Sequence, residues 1–180
     1  MLNNIAGVIA FQGLAAGDYE PIFTTTVGAG GSASITFSTI PSTYKHLQIR
    51  AIALSSSSNH GDLQLNGDTA TNYAGHSLEG DGGSVAAQAG ATRSDMFSMV
   101  RMAGSSGAVA ASVIDILDYA STNKYKTVRA LRGFDNNGTG NIGLISGSWR
   151  STSAISSITI NARAGSFAQY SHFALYGIKG

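Results

Sequence analysis

The chain has 180 residues, 12% of them charged, with a net charge of +1, 23 glycines, two prolines and no cysteine. That length suits one domain with a sizeable core. The lack of cysteine excludes disulfide frameworks, thiolate metal sites and cysteine nucleophiles, and the balanced charge leaves no broad basic field to hold nucleic acid. Few charges and many β-branched residues predict an all-β domain, and a surface this poor in charge suggests that part of it is consumed by assembly.

Residues 1–18 read as a short N-terminal arm. Met1 to Gly17 carries no charged side chain. It lacks the basic start of a secretory signal, and it is short for a membrane span and interrupted by Gly7, Gly13 and Gly17, so no membrane role is expected. Leu2, Ile5, Val8 and Ile9 have helical spacing, but the glycines weaken a helix and an extended arm fits equally. With Phe11 and Leu14 these are too many large apolar side chains for a free tail. Burying each is worth about 1.5–3 kcal/mol, against about 1–2 kcal/mol per residue of backbone entropy. The arm residues Leu2, Ile5, Val8, Ile9, Phe11 and Leu14 are therefore predicted to bind a partner that offers a preformed groove.

Residues 19–180 read as one sandwich domain. Strands are expected over Tyr19–Val27 and Ala33–Ser38, joined by the Gly28–Gly31 turn. The next, Lys45–Ser55, organises the rest. Leu47, Ile49 and Ala51 alternate with His46, Gln48 and Arg50, the period of a half-buried strand whose charged side faces water or a partner. Past Ala51 the large apolar residues change phase to Ile52 and Leu54, which implies either a bulge or cover on both faces. Asp62–Asn66 is a short strand, and Asn66-Gly67 is a dipeptide favoured in tight hairpins. Tyr73–Gly80 follows, then a loop from Asp81 to Ala91. Arg93–Met102, with Met96, Met99 and Met102, is read as a strand.

Val109–Tyr119 is apolar through Val113-Ile114-Asp115-Ile116-Leu117, too continuous for a sheet with one wet face. Tyr125–Phe134, Ile142–Arg150, Ile155–Ala162 and Gln169–Lys179 complete the set. Short strands with turns between them and no helical segments predict an antiparallel two-sheet β-sandwich, jelly-roll-like.

Catalytic and metal chemistry is mostly missing. Gly82-Gly83-Ser84-Val85-Ala86 misses the nucleophile-elbow pattern and lies in a low-complexity stretch. His46, His60, His76 and His172 are scattered, without paired-ligand spacing. Asp135 to Gly140 has the oxygen-rich opening of a calcium loop, but Ser146 stands where the bidentate glutamate belongs, so a hairpin turn is favoured. Asp62 and Asp68, flanking Asn66-Gly67, are read the same way. Asp115 should find Lys, Arg or backbone donors, since a lone buried carboxylate is costly. Tyr73, Tyr119, Tyr125, Trp149 and Tyr170 are candidates for a sugar-binding platform. No catalytic residue, metal or cofactor is predicted.

Four strings carry a resemblance: Ile40-Pro41-Ser42-Thr43-Tyr44-Lys45-His46-Leu47-Gln48-Ile49-Arg50, Val113-Ile114-Asp115-Ile116-Leu117-Asp118-Tyr119, Asn123-Lys124-Tyr125-Lys126-Thr127-Val128-Arg129 and Phe173-Ala174-Leu175-Tyr176-Gly177-Ile178-Lys179-Gly180. From Tyr19 onward the chain resembles a family of small β-sandwich proteins encoded by tailed bacteriophages. The resemblance implies a non-enzymatic virion structural protein. It would be either a capsid decoration (cement) protein bound as a homotrimer to the major capsid protein, or a tail-fibre or tail-tip module binding host glycans. The short arm, with no fibre shaft, favours decoration of the capsid surface.

Overall fold

The computed structural model describes residues 17–56, 59–104 and 108–180, and the six arm residues predicted to bind a partner lie outside them. Twelve strands run through the described residues: β1 Tyr19–Thr26, β2 Ser34–Phe37, β3 His46–Ala53, β4 Asn59–Leu65, β5 Tyr73–Gly80, β6 Val85–Arg93, β7 Met96–Met102, β8 Ala110–Leu117, β9 Lys126–Asn136, β10 Thr139–Trp149, β11 Ile158–Ala162 and β12 His172–Ile178. They form two antiparallel sheets, ordered β1-β12-β3-β8-β9-β10-β5-β6 and β2-β11-β4-β7. The all-β sandwich expected from the sequence is the observed fold. Its jelly-roll core is β1-β12-β3-β8 facing β2-β11-β4-β7. The hairpins β5–β6 and β9–β10 are additions to that core, and together they extend the first sheet beyond β8.

Alternation sets which side chains enter the core. Leu47 and Ile49 of β3, Ile114 and Ile116 of β8, Val128 of β9 and Ile145 of β10 point inward. They meet Phe37, Leu63, Leu65, Ile158, Ile160 and the methionines of β7 in one buried cluster. The methionine run is a strand, as expected, with Met96, Met99 and Met102 all fully buried. Its pairing with β4 shifts between Gly61 and Leu63, and Ser98 takes φ 60° and donates its N–H to Asp62 Oδ1 at 2.7 Å. This bulge lets methionines at a spacing of three share one core.

Three expectations are corrected. The stretch from Asp81 to Ala91 is largely strand. Asp81 Oδ1 accepts the N–H groups of Gly83 and Ser84 at 2.9 and 2.7 Å, closing a tight turn that lays β6 against β5. Alanine and glycine have weak β-propensity, so pairing through that turn makes the strand. Val109–Tyr119 does have a wet face: Val113 and Leu117 are about two-fifths exposed, on either side of the buried Ile114 and Ile116. β3 has no bulge and no second cover at its far end, for its pairings run unbroken and Ile52 points outward to solvent.

The two asparagine–glycine turns behave differently. Asn137 and Gly138 take φ 50° and 94° and close the β9–β10 hairpin, so Asp135 to Gly140 is a turn. Asn66-Gly67 also turns, with Asp68 N–H donating to Leu65 O, but it passes the chain from one sheet to the other. Asn66 Oδ1 then accepts from Ser156 and Ser157 N–H, which keeps the predicted strand at Ile155 from starting before Ile158.

The four strings quoted above meet at one end of the sandwich. Tyr119 Oη donates to Pro41 O, and Asp118 accepts from Lys124 and forms an ion pair with Lys45 Nζ at 3.1 Å. Tyr44 Oη donates to Glu20 at 3.0 Å, and Lys179 pairs with Glu20 at 2.5 Å. The ring of Tyr44 lies flat on Gly177, where a Cβ would overlap it. Gly177→Ala is therefore expected to displace that ring and destabilise the fold by about 1–3 kcal/mol. Urea unfolding should show a lower midpoint with an unchanged slope.

Candidate functional site

Antiparallel pairing aligns the outward side chains of the large sheet into transverse rows. One row reads Arg50, Val113, Leu131, Leu144, Leu78, Ala87 on β3, β8, β9, β10, β5 and β6, each residue paired with the next. The neighbouring row reads Ile52, Ala111, Gly133, Ile142, Gly80, Val85 on the same strands. Apart from Arg50 at one end, every member is apolar or glycine. The large ones are exposed, from 38% for Val113 through 57% for Leu144 and 61% for Ile142 to 77% for Val85. Scattered surface leucines need no explanation, but a contiguous apolar face of this kind marks an interaction site.

The face is not flat. Ala111 and Gly133, with little or no side chain, lie low between Ile52 and Ile142. Two adjoining depressions result, of about 870 Å³ and 620 Å³, both touching Val113 and Leu131. On the side nearer the Tyr44 end the face ends in a polar row, Gln48, Asp115, Arg129, Ser146, His76. Asp115 is satisfied by a side-chain amide rather than the expected cation or backbone donor. Gln48 Nε2 donates to it at 2.8 Å, while Gln48 Oε1 accepts from Arg50 Nε. Arg50 is also held over the rings of Tyr19 and Tyr176, at 5.4 and 5.0 Å. These contacts fix the polar border without placing any charge within the two apolar rows beyond Arg50.

The two edges of this sheet differ. Both edge strands carry a register shift, and β1 also carries Pro21, which blunts an edge against further pairing. At β6 the sheet ends in Val85-Ala86-Ala87-Gln88-Ala89, uncharged, free of proline and exposed on both faces. Apolar face and bare edge are continuous.

The chemically interesting residues singled out from the sequence are not gathered into a site. Ser84 sits on the β5–β6 turn with its hydroxyl on the Asp81 carboxylate. Asp115 is on β8, and His172 is on β12, hydrogen-bonded to Thr24 and Thr26. Among the described residues no three metal-ligating side chains come together. Of the five aromatics considered for sugar binding, Tyr73, Tyr119 and Trp149 are buried. Tyr73 and Trp149 stack inside the sandwich, with Trp149 Nε1 donating to Asp68 at 2.7 Å. Tyr125 and Tyr170 are exposed but precede β9 and β12, which start at opposite ends of the sheet. The five form no platform.

Where the added hairpins curl over β7, the inner surface is charged. Arg132 of β9, fully buried, pairs with Glu79 of β5 at 2.6 Å. Arg163 pairs with Asp62 of β4 at 2.5 Å. Arg101 of β7 packs over the ring of Phe134 at 4.9 Å and donates to Nε2 of His60 at 3.0 Å. His60 can accept that bond only when neutral, and burial beside Arg132, Arg101 and Arg163 pushes its pKa down to about 3. The Arg132–Glu79 pair ties the two hairpins to each other, and Arg101 over Phe134, with Val128, Ile145, Tyr73 and Trp149 in the shared core, joins them to the rest of the sandwich.

The sign of the resulting pH dependence is fixed. Between about pH 6.5 and 3 the unfolded chain takes up a proton that folded His60 refuses, so stability is full above 6.5 and falls as pH drops through that window. Asp118, held at about 2 by Lys124 and Lys45, adds its loss only below the ordinary carboxylate range. Thermal melts should therefore show Tm falling already between pH 6.5 and 5, and His60→Gln should flatten that part of the profile while leaving the steeper loss below pH 4. No protein-family model and no curated protein matches the chain, which leaves the geometry of this face to indicate what it does.

Proposed function

We propose that this chain is a structural protein of a tailed-phage virion, a decoration protein that binds and stabilises the capsid shell as a homotrimer. The observation that carries the assembly reading is the pair of apolar rows on the large sheet, exposed on an otherwise ordinary sandwich surface. Its large residues, about half exposed each, offer an area comparable to one side of a stable interface, about 800 Å². The four strings shared with phage sandwich proteins supply the rest of the reading. They build the fold's closed end, through Tyr44, Asp118, Tyr119 and Gly177, and so the resemblance is one of scaffold.

The role is mechanical. A protein that binds only the assembled shell stabilises it by mass action, in proportion to the logarithm of its concentration over its dissociation constant. No substrate has to be turned over, and nothing at Ser84, Asp115 or His172 is needed.

The direct test is the position of the protein on intact virions. Electron micrographs of particles labelled with antibody to this chain should show label over the head, and label confined to tails would overturn the capsid reading. A second test reads the face itself. Leu144→Asp and Leu131→Asp lie at half-exposed positions and should leave the folded stability within about 0.5 kcal/mol. Each should weaken assembly or shell binding about 10- to 100-fold, since covering a half-exposed leucine is worth about 1 kcal/mol and the new carboxylate must be desolvated. Wild-type binding by both variants would remove the face from the reading.

A further inference from the structure

The apolar face needs an occupant, and the chain itself carries one of matching chemistry. The rows between β8 and β6 hold no charged side chain, and residues 1–17 hold none either. The row from Val113 to Ala87 crosses four interstrand steps of about 4.8 Å, roughly 19 Å in all. An extended segment from Ile5 to Phe11 spans roughly 20 Å at about 3.3 Å per residue, and the sixteen residues before Gly17 reach roughly 53 Å. In an extended segment Ile5, Ile9 and Phe11 share one parity, and laid across the strands they would face the exposed Val113, Leu131, Leu144 and Leu78. The low ground at Ala111 and Gly133 accepts the largest of them, Phe11.

Direction decides whose segment it is. β1 pairs antiparallel with β12 from Tyr19 opposite Ile178 to Thr26 opposite His172. His172 lies in the row of Ile52 and Val85, whereas Ile178 lies beyond the polar row at the other end. The chain therefore enters β1 at the end away from its own apolar rows. Lys179 N–H donates to Asp18 O at 3.0 Å, which continues the pairing beyond Tyr19. To reach its own face the segment would have to turn back and recross the polar row. The face of a second molecule can be met without that turn.

We infer that the apolar face of each molecule receives the N-terminal segment of a second copy, with Phe11 seated over Gly133 beside Leu131 and with Ile9 and Ile5, which share its parity, toward β5 and β6. This names the partner of the face in the assembly reading above, and it is tested without any virion. The natural chain has no cysteine, so engineered pairs report without background. Full-length chains carrying Phe11→Cys are mixed with chains carrying Leu131→Cys, oxidised mildly and run on a non-reducing gel, with Val8→Cys and Leu14→Cys scanning the register. Thr36→Cys on the far sheet serves as the control.

The expected result is a covalent heterodimer that forms with Leu131→Cys and is at least tenfold weaker with Thr36→Cys. A cross-link that forms only within a chain carrying both Phe11→Cys and Leu131→Cys would assign the face to the molecule's own segment and overturn the exchange. Dimers of Leu131→Cys alone would make the occupant the sheet of a second copy, and no cross-link at any register would make it another protein; either also overturns the inference. Label on virion heads without any cross-link would leave the assembly reading standing and sink only this one.

Discussion

Everything on the outer surface of the large sheet depends on register. Side chains alternate with a period of two, so a slip of one residue between any neighbouring strands would send the inward set out and the outward set in. What forbids the slip is the core beneath: Leu47 and Ile49, Ile114 and Ile116, Val128 and Ile145 must all be buried at once. The outer rows are the other half of that same constraint. Val113, Leu131, Leu144 and Leu78 come from parts of the chain far apart in sequence, and they share a line across four strands because their neighbours share a core.

The architecture separates a jelly-roll core from two hairpins that widen one of its sheets. The core is closed at one end by local, mostly polar bonds, with Asp118 gathering Lys45, Lys124 and the His46 region, and Tyr119 tying the loop at Pro41. The hairpins share the apolar core through Val128, Ile145, Tyr73 and Trp149, and add inward charges, Arg132 on Glu79 between them and Arg101 of β7 over Phe134. A buried arginine is costly to place and costly to orphan. Its use here, under the apolar face, keeps a strand pair without a full hydrophobic underside at a fixed height.

Much of the fold was legible in the chain. The alternation over His46–Ala53, the asparagine–glycine turn at 137 and 138 and the methionine run are local signals, and local signals give strands. β6 was not legible, because Ala86, Ala87, Ala89 and Gly90 carry no pattern and its strand state comes from the Asp81 turn and the pairing with β5. The face was half legible. Dipeptides such as Val113-Ile114, Ala130-Leu131 and Leu144-Ile145 are apolar on both parities, which says that both faces want cover. The run at Val113, read as too continuous for a sheet with one wet face, therefore expressed a real demand for cover, although the sheet leaves that face exposed. That the exposed halves line up could not be read, since it depends on pairings between distant segments.

The hairpin that ends the large sheet has one more consequence. β6 is bonded to a single neighbour and exposes both faces, with alanines where the inner strands have isoleucine and leucine. Little apolar area is lost when such a strand lifts, so its opening free energy lies far below that of the whole domain. Amide exchange should then be graded across the sheet, slowest at β3 and β8 and fastest at β6. The wall of the depression nearest that edge is its compliant side, able to shift by small amounts around what it holds while the opposite wall, on β8, stays fixed.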